Sequence, residues 1–171
     1  MKRNYLLIVL SLLLVQTGFA QDKLSELFNK LDGKDNVTQV VITKSMLSMM
    51  PNMGSSSVNM NGVDVKNIVN KLDRIDIYTS KDGDTKKMMI KETTDYFKGN
   101  SGRDYDILMR VKDEKNNVVF YGKKDGDIFS SLVMVVNNEE DCTLIRMMGK
   151  FTPQDIQDVT NASKPKQEKT E

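Results

Sequence analysis

The 171-residue chain has no histidine, no tryptophan, one cysteine and three prolines. Without an imidazole there can be no His-ligated zinc site, no Ser-His-Asp or Cys-His catalytic system and no histidine proton switch. One cysteine can form neither an internal disulfide nor a thiolate zinc cluster. A one-sided charge is also missing: 25 lysines and arginines face 24 aspartates and glutamates, so no net field draws in nucleic acid or an anionic membrane. A phosphate-cradling glycine loop and a nucleophile elbow are absent as well. The expectation is a protein that is not an enzyme. The remaining catalytic alternative is a hydrolase that works without His and Cys chemistry, whose paired carboxylates would be defined by spatial proximity.

What is present begins with an address. Lys2 and Arg3 precede an apolar run from Tyr5 to Val15, followed by Gln16-Thr17-Gly18-Phe19-Ala20. A charged start, an apolar centre and a small-x-small end make a secretory signal peptide over residues 1–20, cleaved after Ala20. The run falls well short of the roughly 20 residues a spanning helix needs, so no transmembrane segment is expected after cleavage. Cys142 is far from the cleavage point, which excludes a cysteine-linked lipoprotein. The expected product is exported, periplasmic or secreted, and soluble. Losing Lys2 and Arg3 leaves 23 basic residues against 24 acidic ones.

The expected domains are the signal peptide, a single domain over 22–162 and a disordered tail over 163–171, where Lys164 to Glu171 has nothing to bury. Leu24, Leu27, Phe28 and Leu31 have helical spacing, so Asp22 to Leu31 reads as an amphipathic helix stopped near Gly33. Val37 to Thr43 reads as a strand and Ser45 to Met50 as a short helix ended by Pro51. Pro51 to Gly62 is polar and aperiodic, a mobile surface loop. Val65 to Leu72 restores helical spacing, Arg74 to Ser80 is a strand, and Asp84 is placed to cap a helix from Thr85 to about Lys98. Four strands then follow closely: Tyr105 to Val111, Asn117 to Lys123, Ile128 to Val136 and Cys142 to Gly149. The last two are apolar on both faces and belong at the sheet centre. Asp125-Gly126 marks a hairpin with a type I′ turn. Thr152 is able to cap a final helix from Pro153 to Val159. The fold class is α+β, an antiparallel, possibly mixed, sheet with a four-strand C-terminal meander and helices packed on one face.

The compositional excess is methionine, 12 in the chain. Met46, Met49, Met50 and Met53 fall within eight residues, with Met60 close behind. Three readings stand side by side. Met46 and Met50, one helical turn apart, can fill a gap in the core. Met49, Met50, Met53 and Met60 can instead form an adaptable apolar contact for another envelope protein or a small apolar ligand. Met46, Met49, Met50 and Met53 can also hold Cu(I) in the periplasm, because a soft cation prefers thioethers. No cofactor is otherwise expected. Asp82-Gly83-Asp84 and Asp125-Gly126-Asp127 lack the full calcium-loop pattern and read as turn and cap. Cys142 reads as a small buried core residue.

Ile42-Thr43-Lys44-Ser45-Met46-Leu47-Ser48-Met49-Met50-Pro51, behind a signal peptide and ahead of a four-strand run, resembles the bacterial family called domain of unknown function 4252. The resemblance implies an exported protein, mostly found in Bacteroidetes, with a strand, a Ser-Lys-x-Met-like helix ending in Met-Pro and a helix feeding an isoleucine-rich strand. Val40 to Pro51 and Val65 to Ile77 are the corresponding parts, and the similarity runs from about Leu24 to Val159. Thr43 departs from the usual serine. No activity or site residue comes with the family. The resulting expectation is a non-catalytic binding or accessory module of the cell envelope, with periplasmic Cu(I) binding as the alternative.

Overall fold

The computed structural model describes residues 23–49, 59–60, 63–64 and 70–162. The expected signal peptide, the helix expected from Val65 except at its last residues, and the expected tail lie outside the described residues. Leu72, placed at the end of that helix by spacing, belongs to a strand instead.

Helix α1 (Lys23–Leu31) forms because its four apolar residues share one stripe, and all four are buried. Each contributes about 1.5–3 kcal/mol by leaving water. Gly33 and Asn36, both at positive φ, turn the chain into strand β1 (Thr38–Thr43). Helix α2 (Lys44–Met49) follows at once. A two-residue hairpin, β2 (Asn59–Met60) and β3 (Val63–Asp64), interrupts the segment expected to be a loop. Strand β4 (Leu72–Ser80), helix α3 (Gly83–Lys98), strands β5 (Tyr105–Lys112), β6 (Asn116–Asp125), β7 (Ile128–Asn138) and β8 (Cys142–Phe151), and helix α4 (Pro153–Ala162) complete the chain.

Two local expectations are corrected. The cap of α3 is Asp82 rather than Asp84: its carboxylate accepts from the Thr85 backbone N–H at 2.9 Å and the Thr85 hydroxyl at 2.7 Å, so the helix starts at Gly83. The cap residue must precede the first helical turn to reach its free N–H groups. In the β6–β7 hairpin Asp125 pairs with Ile128, so the two turn residues are Gly126 and Asp127. Only Gly126, at φ 62°, is left-handed. Positive φ at the first central position alone is the type II′ pattern, not type I′.

Six strands form one antiparallel sheet in the order β1-β4-β8-β7-β6-β5. The meander β5 to β8 is as expected, with β7 and β8 internal. The first face carries Tyr78, Cys142, Leu144, Val133 and Tyr105 against α1 and Met89 of α3. Phe28 meets Tyr78 edge-on at 5.3 Å between ring centres, and Phe97 of α3 stacks on Tyr121 at 3.7 Å. Phe120 and Leu132 point to the opposite face because side chains alternate along a strand, and the register shifts between Leu72 and Arg74 and between Phe129 and Ser131 bring Leu72 and Phe129 there as well. With Phe151, Leu47 of α2 and Ile156 of α4 they form a second cluster. Helices α1 and α3 thus cover one face, and α2 and α4 close one end of the other.

Gly149 lets the chain cross β8 closely. A Cβ there would meet the Lys71 carbonyl oxygen, which accepts from the Lys150 N–H at 3.1 Å. Helix α4 is held by a capping box: the Asp155 carboxylate accepts from the Thr152 N–H and hydroxyl, each at 2.7 Å, while the Asp155 N–H reaches the Thr152 hydroxyl. Lys71 donates to both Asp155 oxygens at 2.7 Å. Among the described residues, no helix is long and apolar enough to cross a membrane.

Candidate functional site

The methionine segment starts where β1 ends. Leu47, 5% exposed, is the one α2 side chain that enters the core. Met46 is 48% and Met49 71% exposed, so these two thioethers sit in solvent and the core-filling role read for Met46 does not hold. A six-residue helix can turn only one residue in each turn inward, and Leu47 occupies that place. Met50 and Met53 lie outside the described residues. Met60 stands in β2 opposite Val63.

The second face of the sheet continues past the end closed by α2 and α4. Its register aligns Val40, Ile77, Ile145, Met134, Phe120 and Met109 in one row across all six strands. The next row is Thr38, Thr79, Thr143, Val136, Val118 and Val111. Phe120 is buried, Thr38, Val40 and Val111 are exposed, and the others are half-buried. The Thr79 and Thr143 hydroxyls bond to each other at 3.0 Å, which pairs two of the three hydroxyls in that row. The result is a broad, largely apolar surface with no ionisable group in either row.

An open depression of about 470 Å3 lies beyond the threonine end of that surface, lined by Asn36, Val37, Thr38, Thr79, Lys81 and Asp82. Its one carboxylate is the α3 cap. The bonds from Thr85 hold Asp82 below the usual carboxylate range, so it stays ionised and occupied. The Ser80 hydroxyl donates to the Asn36 carbonyl at 2.6 Å and accepts from the Asp82 N–H at 3.2 Å. These polar groups serve the turn into β1 and the start of α3. Among the described residues, no group of three or more Cys, Asp or Glu side chains is placed to hold a metal.

One charged cluster escaped the reading of the sequence. Asp76 in β4 is fully buried and Arg146 in β8 is 8% exposed. Arg146 donates to Asp76 Oδ2 from Nε at 3.0 Å and Nη2 at 2.7 Å, and from Nη1 to Ser25 of α1 at 3.2 Å. Its guanidinium lies 4.4 Å from the centre of the Phe28 ring. Arg74 supplies a second cation to Asp76 Oδ1 at 2.7 Å. Among the described residues no buried side-chain polar atom lacks a partner, and this cluster fastens α1 to the sheet through Ser25 and Phe28. Its signal was in the sequence: in Arg74-Ile75-Asp76-Ile77 the isoleucines claim one face, which leaves Asp76 on the face that α1 covers.

Cys142, fully buried at the end of β8, takes the core place expected of it. Burial pushes its thiol up to about 11. Burial also raises Tyr78, a shift opposed by the bond from Gln39 to its hydroxyl at 2.8 Å.

Among known proteins, the family described as Domain of unknown function (DUF4252) matches residues 28–159, more than half of the chain. No curated protein and no solved structure matches.

Proposed function

The chain belongs to the DUF4252 family, and on that premise we propose that it is a non-catalytic binding or accessory module of the bacterial cell envelope. In this reading it is exported by cleavage after Ala20, periplasmic or secreted, and not a lipoprotein. The observation that carries the binding role is the part of the second sheet face that no described helix covers, where two rows of side chains from six strands hold no ionisable group. Contiguous apolar surface of this breadth on a soluble domain is a contact surface more often than an accident. Rows that run across six strands give a surface of the breadth a protein partner covers, so the fitting partner is another envelope protein. Met46 and Met49 add flexible apolar side chains close to the end of β1.

A photo-cross-linking residue placed at Met49 or Val111 tests the reading in cells, with the exposed Lys87 of α3 as the control position. The expected result is one discrete adduct with a foreign envelope protein from the first two positions and none from the third. Its yield should fall when Ile145→Lys puts a charge in the middle of the face. Absence of an adduct from both face positions, or the same adduct from Lys87, would refute the role.

A further inference from the structure

The sheet has two edges, and they are built differently. Strand β5 carries the exposed charges Asp106, Arg110 and Lys112, and a bulge between Ile107 and Met109 breaks its register. Charges and bulges are the usual means by which proteins keep an edge from pairing with another chain. Strand β1 has none of them. Thr38-Gln39-Val40-Val41-Ile42-Thr43 is uncharged, rich in β-branched residues, free of proline and in unbroken register with β4. Among the described residues no strand lies on its outer side.

We propose that the outer edge of β1 pairs antiparallel with β1 of a second copy of this chain, about a two-fold axis perpendicular to the sheet at Val40. Such an axis keeps each face on its own side, because directly opposite residues of an antiparallel pair point the same way. Val40 then faces its own copy, Thr38 faces Ile42, and Gln39 faces Val41, so no like charges oppose each other. Val40, 44% exposed, gains an apolar neighbour on the open face. The ends are complementary in charge. Lys44, one of whose three donors meets Asp73 at 2.6 Å, follows β1 and Asp35 precedes it, both exposed. The axis brings the Lys44 end of each copy to the Asp35 end of the other, where the remaining donors are in reach of a second carboxylate.

The guarded β5 edge explains why pairing stops at two copies. A sheet with two open edges would add chains at both ends, whereas one open edge closes on itself. A six-residue ladder is at the small end of interface sizes, so the test belongs in a weak-affinity range of about 10–100 μM. The dimer is joined by backbone groups at the edge, so it stands without the contact face assigned above, with which it shares only Thr38 and Val40.

Val40 and Val111 make a matched pair for the test, being exposed to similar extents, 44% and 42%, on the same face at opposite edges. Sedimentation velocity of the purified protein across that concentration range should show a reversible dimer. Val40→Lys should be monomeric and Val111→Lys should dimerise as the wild type does, with the far-ultraviolet circular dichroism of both checked against it. Val40→Cys adds a second readout, because the natural thiol at Cys142 is buried. Under air oxidation it should form a covalent dimer several-fold faster than Val111→Cys. A wild-type monomer about tenfold above the expected range would leave the edge to a strand of another protein and overturn the proposal. Dimerisation that survives Val40→Lys but not Val111→Lys, or equal cross-linking from both cysteines, would overturn it too.

Discussion

Replacing Arg146 by Met tests how α1 is held on the sheet. The change removes two hydrogen bonds to a fully buried carboxylate, the bond to Ser25 and the stacking of the guanidinium on Phe28. Breaking a buried ion pair from one side costs about 3–5 kcal/mol, because the other charge stays in a medium that cannot solvate it. Arg74, still 2.7 Å from Asp76 and partly in water, keeps that charge half compensated, which favours the lower end. The lost ring contact adds about 0.5–1 kcal/mol. Arg146→Met should therefore lower stability by about 3–4 kcal/mol, a fall in Tm of about 6–16 °C for a chain of this size. With no tryptophan to report, urea unfolding is best followed by circular dichroism, with the slope checked for constancy. The second arm decides the mechanism. Changing Asp76 to Leu together with Arg146→Met removes both charges, and Arg74 can turn to solvent, so the double variant should lie within about 1.5 kcal/mol of the wild type. A loss under about 1 kcal/mol in the single variant, or a double variant as unstable as the sum of its parts, would refute the reasoning.

Further expectations follow from the packing around α4 and β8. At Asp155, burial acts to raise the carboxyl but is outweighed by the bonds from Lys71 and Thr152, which hold it below its usual value of 3.8. A lowered folded-state pKa means stability that is present above the unfolded value and lost as the pH falls through the folded one. The gap in melting temperature between wild type and Asp155→Asn should accordingly be widest near neutrality and close below pH about 4; a constant gap would contradict this. Gly149→Ala should cost about 1–3 kcal/mol and speed hydrogen exchange at Lys150, whereas Gly83→Ala, with open space around the added methyl, should leave urea midpoints unchanged or raised. Cys142, buried and pushed up to about 11, should react with a thiol reagent at pH 8 only as fast as the protein unfolds; rapid labelling of the folded protein would refute its burial.

The elements themselves were largely legible, because their evidence is local. The stripe Leu24, Leu27, Phe28 and Leu31 and the apolar runs of β7 and β8 each determine a period and a degree of burial within ten residues. Boundaries were lost where hydrogen bonding rather than hydrophobicity decides them. Asp82 and Asp84 are equally good cap residues by type, and only the reach of a carboxylate to Thr85 separates them. Leu72 fits a helical period, yet its place opposite Gly149 in the sheet makes it a strand residue. The candidate contact surface was half legible. The methionine cluster drew attention to α2, and the structure shows Met46 and Met49 in solvent. The broad open face was hidden because its two rows draw one residue from each of six strands, a neighbourhood that register creates and spacing along the chain does not. The buried Asp76 and Arg146 were passed over for the same reason, since their pairing spans 70 positions.

The strand order also governs how the fold can be assembled. Strands β5 to β8 each pair with their neighbour in the chain, and β1 pairs with β4, but among the described residues only the β4–β8 ladder joins these two groups. The last strand made is thus an internal one. Until β8 emerges, β4 has a second naked edge, Asp76 has no Arg146, and α1 lacks its anchor at Ser25. Loop-closure entropy adds to this lag, because the long-range ladder must form after the local hairpins. A growing chain therefore passes through a state with a finished hairpin half and an unsealed β4. Any factor that protects this protein during its synthesis would have to hold β4 until β8 arrives, and truncation within β8 would leave two incomplete sheets instead of one shortened sheet.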